Sequence, residues 1–212
     1  MNRETLLTSN VKTIINVASE CNYRTPDFSP DIHLYKFDIK DEFISILDYL
    51  ECIPAIIARR LTVGNILIHC QAGISRSPTI VIAYLMIYHR MKLNDAYAYL
   101  LKLRPRVFPN PQFMRDLMEL EFKLFGSRSF NDKIDAHTVS YIASYAGLNT
   151  AEQRDIAAEL YFSFECDYRR IIKYYDEQKI NFQTVTSNLI FLEKKNYPRL
   201  IRSFTFQPIK AN

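Results

Sequence analysis

Cysteine is scarce in this chain and scattered: four thiols, at Cys21, Cys52, Cys70 and Cys166, form no C-x-x-C pair. That spacing speaks against a zinc site and against a disulfide framework. No apolar run reaches the ~18 residues of a membrane span, and no signal-peptide pattern opens the sequence. An excess of one charge is missing too. The formal net charge is +4, with 15 basic against 13 acidic residues through Gly126 and 12 against 10 beyond it. Neither half is basic enough to argue for nucleic acid or a membrane surface as partner. Repeats and low-complexity tracts are absent as well. These absences make the reducing cytoplasm or nucleus the expected compartment. What the chain does have is 212 residues at 48% hydrophobic content, enough for one ordinary domain with a real core plus an appendage.

The stretch around which the rest is organised is 66–82, ILIHCQAGISRSPTIVI. Three apolar residues after Gly64-Asn65 suit a short buried strand following a turn. Ser77 reads as a helix N-cap and Pro78 as the first helical residue of an apolar run to Tyr88. Strand, tight loop and helix start together aim unpaired backbone N–H groups at one spot, backed by the positive end of the helix dipole, and such a nest suits a phosphate-sized anion. Cys70 stands at the mouth of the loop and Arg76 at its far end. A thiol held there should ionise well below its free pKa of roughly 8.5. The planar fork of Arg76 can grip two phosphoryl oxygens at once. In-line attack of a thiolate on phosphorus is the chemistry these groups imply. Gly73 frees the backbone to wrap, and Gln71, Ala72, Ile74 and Ser75 are expected to contribute amides.

The run His69-Cys70-Gln71-Ala72-Gly73-Ile74-Ser75-Arg76-Ser77 resembles the active-site signature of the dual-specificity protein phosphatases, a branch of the cysteine-based phosphatases. The likeness continues through Ala83-Tyr84-Leu85-Met86, Arg104-Pro105 and Pro109-Asn110-Pro111-Gln112-Phe113-Met114, and spans roughly residues 6–125. It implies an α/β fold, a central sheet flanked by helices, and an activity that needs no metal or cofactor. It also places the general acid at Asp41, just after the strand end Phe37-Asp38-Ile39-Lys40, with Asp38 and Glu42 as local competitors. Register with the strand favours Asp41, which could also cap a helix beginning near Phe43, the two uses not excluding each other. His69 is expected to position the loop by hydrogen bonds. The Ser77 hydroxyl is placed to assist the departing thiolate, or to cap the helix, or both. Related domains usually carry a further strand region upstream, so either the sheet is pared down at one edge or the N-terminus is incomplete.

Elsewhere the patterns predict a helix over 4–10, strands over 12–18 and 33–38, and a helical stripe from Phe43 through Leu61 that Pro54 should kink or split. Cys52 reads as a half-buried structural thiol, with an oxidative disulfide to Cys70 as the other possibility. Asn94 should cap a helix ending near Leu103, beyond which Lys102, Arg104 and Arg106 form a basic cluster: a solvated terminus, or a guide for acidic substrate segments. Asn110-Pro111 opens a helix closed by Gly126, where the phosphatase-like domain (1–126) is expected to end. A polar link over 127–133 leads to an all-helical extension over 134–212, with helices over 135–145, 150–164, 167–178 and 182–195. The second of these should be opened by Asn149 with Glu152 in a capping box. Its many aromatics read as core, and partner binding is one role open to it.

Uncharged loop side chains favour phosphorylated proteins as substrates, carrying phosphotyrosine and phosphoserine or phosphothreonine. The other readings are a phosphatase of RNA 5′ ends or phosphoinositides, and a catalytically silent phospho-binding protein.

Overall fold

The β-branched run Val11–Asn16 (β1) lies at the centre of a three-stranded parallel sheet, between His33–Lys36 (β2) and Asn65–His69 (β3), in the order β2-β1-β3. This computed structural model describes residues 3–22, 30–145, 147, 150–163, 167 and 169–173. Ile14 and Ile15, both fully buried, point to opposite faces. Ile14 packs with Val11, Ile32 and Leu6 of the short helix Arg3–Thr8 (α1). Ile15 enters the larger core with Leu50, Ile80 and Phe113. Covering both faces in this way is what a parallel sheet requires.

β2 ends two residues earlier than the sequence pattern predicts, and β1 stops before Val17. Asn16 ends the strand by taking over the backbone: its Oδ1 accepts from Ala18 N at 2.9 Å and its Nδ2 donates to Cys21 O at 2.8 Å. The helical stripe expected from Phe43 begins only at Tyr49 and runs to Arg60 (α2). Residues 41–48 form bends and turns because buried Asp116 accepts the Ile46 amide at 2.6 Å and the Ser45 hydroxyl at 3.1 Å. Asp41 therefore caps no helix. Pro54 sits buried inside α2, which continues through it as one element instead of splitting. Cys52 is exposed and free, not half-buried, and forms no disulfide with Cys70.

The central helix, Arg76–Tyr88 (α3), starts two residues before the expected Pro78, and its N-cap position is Ser75 rather than Ser77. In the next helix, Leu93–Leu103 (α4), Asn94 is a helical residue and not the cap. Here the cap comes from another element. Fully buried Glu121 accepts the Leu93 amide at 2.9 Å, and the Ser129 hydroxyl accepts the Asn94 amide at 3.0 Å. Pro111–Phe125 (α5) opens on Asn110, whose Oδ1 accepts Phe113 N, and closes on Gly126 in the left-handed region at φ 68°, as its sequence predicts.

The chain divides into two compact units, Met1–Tyr141 and Ile142–Asn212. The division falls inside the helix Ile134–Tyr145 (α6), past the Gly126 boundary, because the supposed link is packed: Phe130 is 4% exposed in the main core, and Ser129 donates twice to Glu121 at 2.7 Å. In the second unit Ala151–Ser163 (α7) is opened by Thr150 and Gln153, which exchange amide bonds at 3.1 and 3.2 Å. The exchange has the form of a capping box; the predicted cap Asn149 lies outside the described residues. A helical turn covers 169–173. The expected helix over 182–195, the end of that over 167–178, and nine of the extension's aromatics, Phe164 and Tyr168 among them, lie outside the described residues.

Candidate active site

Cys70 follows directly on β3, so the sheet fixes where its side chain emerges, and it is 6% exposed. The chain then turns back through Gly73, whose φ of 67° is left-handed backbone that glycine adopts without strain. The Gly73 amide donates to Cys70 Sγ at 3.3 Å and the Ser77 hydroxyl at 3.4 Å. Why the amide faces the sulfur is visible on the outside of the loop. Arg104 donates from Nη2 to Ala72 O at 3.2 Å and from Nε to Gly73 O at 2.8 Å, while Phe108 N donates to Ile74 O at 2.8 Å. A trans peptide sets its C=O and N–H on opposite sides, so drawing these carbonyls outward turns the following amides inward.

Burial would raise the thiol's pKa. The Ser77 hydroxyl and amide, the Gly73 amide and the charge of Arg76 outweigh it, and the net effect holds Cys70 below its ordinary value. The N-terminus of α3 adds its partial positive charge at the same place. His69 donates from Nδ1 to Cys70 O at 3.0 Å, the positioning contact its sequence place suggests. Gln71, Ala72, Gly73, Ile74 and Ser75 make up the loop, and none of their side chains is charged.

Arg76 is 4% exposed, and a second carboxylate holds it. Glu20, on the turn shaped by Asn16, accepts from Nη1 at 2.7 Å and from Nη2 at 2.5 Å, and Ile39 O accepts from Nη1 at 3.1 Å. The pairing raises the arginine's pKa and pulls the Glu20 carboxyl down to about 2, chiefly through these hydrogen bonds. One edge of the guanidinium is thereby occupied. Its Nε–H, on the other edge, is buried and lacks a hydrogen-bond partner.

Asp41 lies beside that open edge, with Oδ2 at 3.7 Å from Arg76 Nε. Its Oδ1 accepts from the Ser75 hydroxyl at 2.8 Å and from Asn110 Nδ2 at 2.9 Å. The Asn110 amide in turn donates to Ser75 Oγ at 3.1 Å, closing a triangle around the carboxylate. The two competitors stay at the surface: Asp38 pairs with Lys36 at 3.3 Å and Glu42 with Lys40 at 3.7 Å. Cys70, Arg76, Ser77 and Asp41 thus meet in one place.

Sequence reasoning missed Glu20, Asn16 and the second use of Asn110, whose Oδ1 caps α5 while its Nδ2 serves Asp41. Arg104 is exposed at the end of α4, as the sequence suggests, but it also braces the loop, a use the sequence reading did not include. The Arg104-Pro105 match was the available signal. Among the described residues no group of three or more His, Cys, Asp or Glu stands ready for a metal ion, and no helix is long and apolar enough to cross a membrane.

Residues 2–123 match the family described as dual specificity phosphatase, catalytic domain. Over 131 residues the chain is 38% identical to dual specificity protein phosphatase 18 of Rattus norvegicus, covering 60% of this chain and 63% of that protein. It is 34% identical over 126 residues to the Homo sapiens dual specificity protein phosphatase 16, covering 58% of this chain and 19% of that one. The chain thus spans less than two thirds of the length of these relatives. Among solved structures, human DUSP28 superposes with a TM-score of 0.54 at 25% identity, over 58% of this chain and 86% of that chain. A mouse putative dual specificity phosphatase complexed with zinc tungstate gives 0.55 at 25%, over 58% and 77%.

Proposed function

This chain belongs to the dual-specificity phosphatase family, and from that membership and the site's geometry we propose that it hydrolyses phosphate monoesters on proteins through a cysteinyl-phosphate intermediate. The observation that carries the reading is the pairing of a buried thiol fed by an inward amide with a buried guanidinium whose Nε–H has no hydrogen-bond partner. An unpaired buried donor is costly, and a phosphoryl oxygen is an acceptor of the right charge to satisfy it.

In the first step Cys70 Sγ, as thiolate, attacks phosphorus in line with the ester oxygen. The S–P bond forms, the P–O bond breaks, and protonated Asp41 gives its proton to the departing oxygen. In the second, water attacks the phosphocysteine, Asp41 takes a proton from it, and the S–P bond breaks with the electron pair returning to sulfur. The Ser77 hydroxyl, 3.4 Å from Sγ, stabilises the sulfur anion as it leaves. Arg76 and the loop amides of residues 71–76 hold the phosphoryl oxygens in both steps. Neither step calls on a metal or cofactor.

Phosphotyrosine and phosphoserine or phosphothreonine are the substrates this reading assigns. The uncharged loop side chains give a polyanionic RNA end or inositol headgroup nothing extra to hold, and the retained Cys70 and Arg76 argue against a silent binder. Cytoplasm or nucleus is the compartment that suits a thiolate nucleophile, and the C-terminal helices are assigned to partner contacts. The test is hydrolysis of p-nitrophenyl phosphate and of a doubly phosphorylated peptide, beside an RNA 5′-triphosphate and a phosphoinositide. Activity on the first two, abolished by Cys70→Ser and, on the peptide with its poor leaving groups, lowered ~100-fold or more by Asp41→Ala, is expected. Greater activity on the last two, or none on any, overturns the reading.

A further inference from the structure

The general acid is held from a part of the chain that lies beyond the family match. Asp41 depends on Asn110, and Asn110 ends the segment 104–110 that also braces the loop through Arg104 and Phe108. That segment is itself pinned from α6. His137, 7% exposed, sits 2.8 Å from Pro109 O through Nε2. A carbonyl oxygen only accepts, so Nε2 carries the hydrogen and donates it to the residue just before Asn110. The same imidazole lies against the Phe108 ring at 4.6 Å. One helical turn on, Tyr141 stacks on Phe108 at 6.0 Å and meets Phe43 edge-on, also at 6.0 Å. Phe43 is two residues from Asp41. The two α6 side chains therefore touch both the segment that holds the acid and the loop that carries it.

We infer that His137 and Tyr141 are positioning residues for Asp41, joining the loop after β2 to the segment 104–110 so that the carboxyl group stays beside the phosphate loop. This rests on the phosphatase reading above. Neither residue lies within 2–123, so the catalytic apparatus of this chain takes in the start of what its sequence presents as an extension. The burial of His137 also keeps the imidazole neutral near pH 7, its pKa pushed down to about 4, so the contact is a hydrogen bond between uncharged groups.

The experiment separates positioning of the acid from general loss of structure. An ester with a good leaving group, p-nitrophenyl phosphate, needs little protonation as its bond breaks; phenyl phosphate needs it more. In the full chain, His137→Phe keeps a ring against Phe108 and loses the donor, and His137→Gln restores a donor. His137→Phe is expected to lower kcat for phenyl phosphate by about tenfold more than for p-nitrophenyl phosphate, with KM unchanged and His137→Gln recovering most of the loss. Tyr141→Leu, which leaves the Pro109 hydrogen bond intact and removes the ring at Phe43, is expected to show the same split and decides the matter should His137→Phe not fold. Equal losses on both esters, or none, in a folded variant overturn the inference while leaving the phosphatase reading standing. A wild type inactive on both esters overturns both.

Discussion

Substituting Glu20 by glutamine tests how Arg76, the proposed phosphate clamp, is held. The change keeps the size of the side chain and removes its charge. Arg76 would retain Ile39 O at 3.1 Å, and Asp41, 3.7 Å from Nε, would become the nearest carboxylate it touches. Breaking a fully buried ion pair costs about 3–5 kcal/mol and breaking an exposed one less than about 1. The Arg76 side chain is 5% exposed and that of Glu20 38%, so solvent screens one partner. A loss of ~2 kcal/mol at neutral pH follows, read as a lowered denaturant midpoint with unchanged slope. Activity should suffer more than stability. A guanidinium released from Glu20 turns toward Asp41, which misplaces the clamp and ties up the acid, and kcat/KM for p-nitrophenyl phosphate should fall ~10–100-fold. Glu20→Asp, which keeps the charge on a shorter stem, should lie between. The carboxyl titrates at about 2 in the fold against an ordinary 4.5. A depressed acid contributes in full above 4.5 and loses its contribution as pH falls toward 2, so the wild-type rate profile between pH 5 and 8 should carry no inflection from Glu20. A Glu20→Gln enzyme with unchanged kcat/KM would refute the idea that this carboxylate aims the arginine.

Other perturbations reach other parts of the site. Ser77→Ala removes the hydroxyl 3.4 Å from Sγ; rapid mixing should show a burst of nitrophenol and a phosphocysteine that outlives the wild type's, with the first step little changed. Gly73→Ala places a Cβ 2.8 Å from Arg104 Nη2 on left-handed backbone. It should cost about 1–2 kcal/mol and slow alkylation of Cys70 by iodoacetamide at pH 6; equal alkylation rates would contradict the inward amide. His137 titrates at about 4 in the fold against 6.5 when free. A base with a depressed pKa destabilises the fold as pH drops from 6.5 toward 4, here by up to about 3 kcal/mol. Unfolding free energies from denaturant titrations at pH 7 and 5 should differ by about 2 kcal/mol more in the wild type than in His137→Phe.

The parts of the site legible in the sequence were those whose partners are close along the chain. Cys70, Gly73, Arg76 and Ser77 share one loop, and strand, loop and helix start could be read together. Asp41 was legible through resemblance and register. Glu20 was not, because its partner lies 56 residues away and no local pattern marks a glutamate that pairs at that distance. The same holds for helix ends. Asn110 and Gly126 cap α5 from their own sequence and were read correctly, whereas α4 takes its cap from Glu121 and Ser129. Residues 41–48 carry a helical apolar spacing, yet Asp116 accepts the amide and hydroxyl that fix them as turns, a tertiary contact that local periodicity cannot show. Phe130 made the supposed link part of the core for the same reason.

The parallel order β2-β1-β3 has a consequence for biosynthesis. Glu20 and Asp41 leave the ribosome before Cys70, but the donors that stabilise its thiolate, Gly73 and Ser77, follow it, and Arg104 to Asn110 arrive later still. Until β3 aligns beside β1 and that last segment closes over the loop, the nascent thiol has the acidity of free cysteine, roughly 8.5, and stays protonated. Reactivity toward peroxide follows thiolate character, so sensitivity to oxidants is acquired only when the finished unit has assembled.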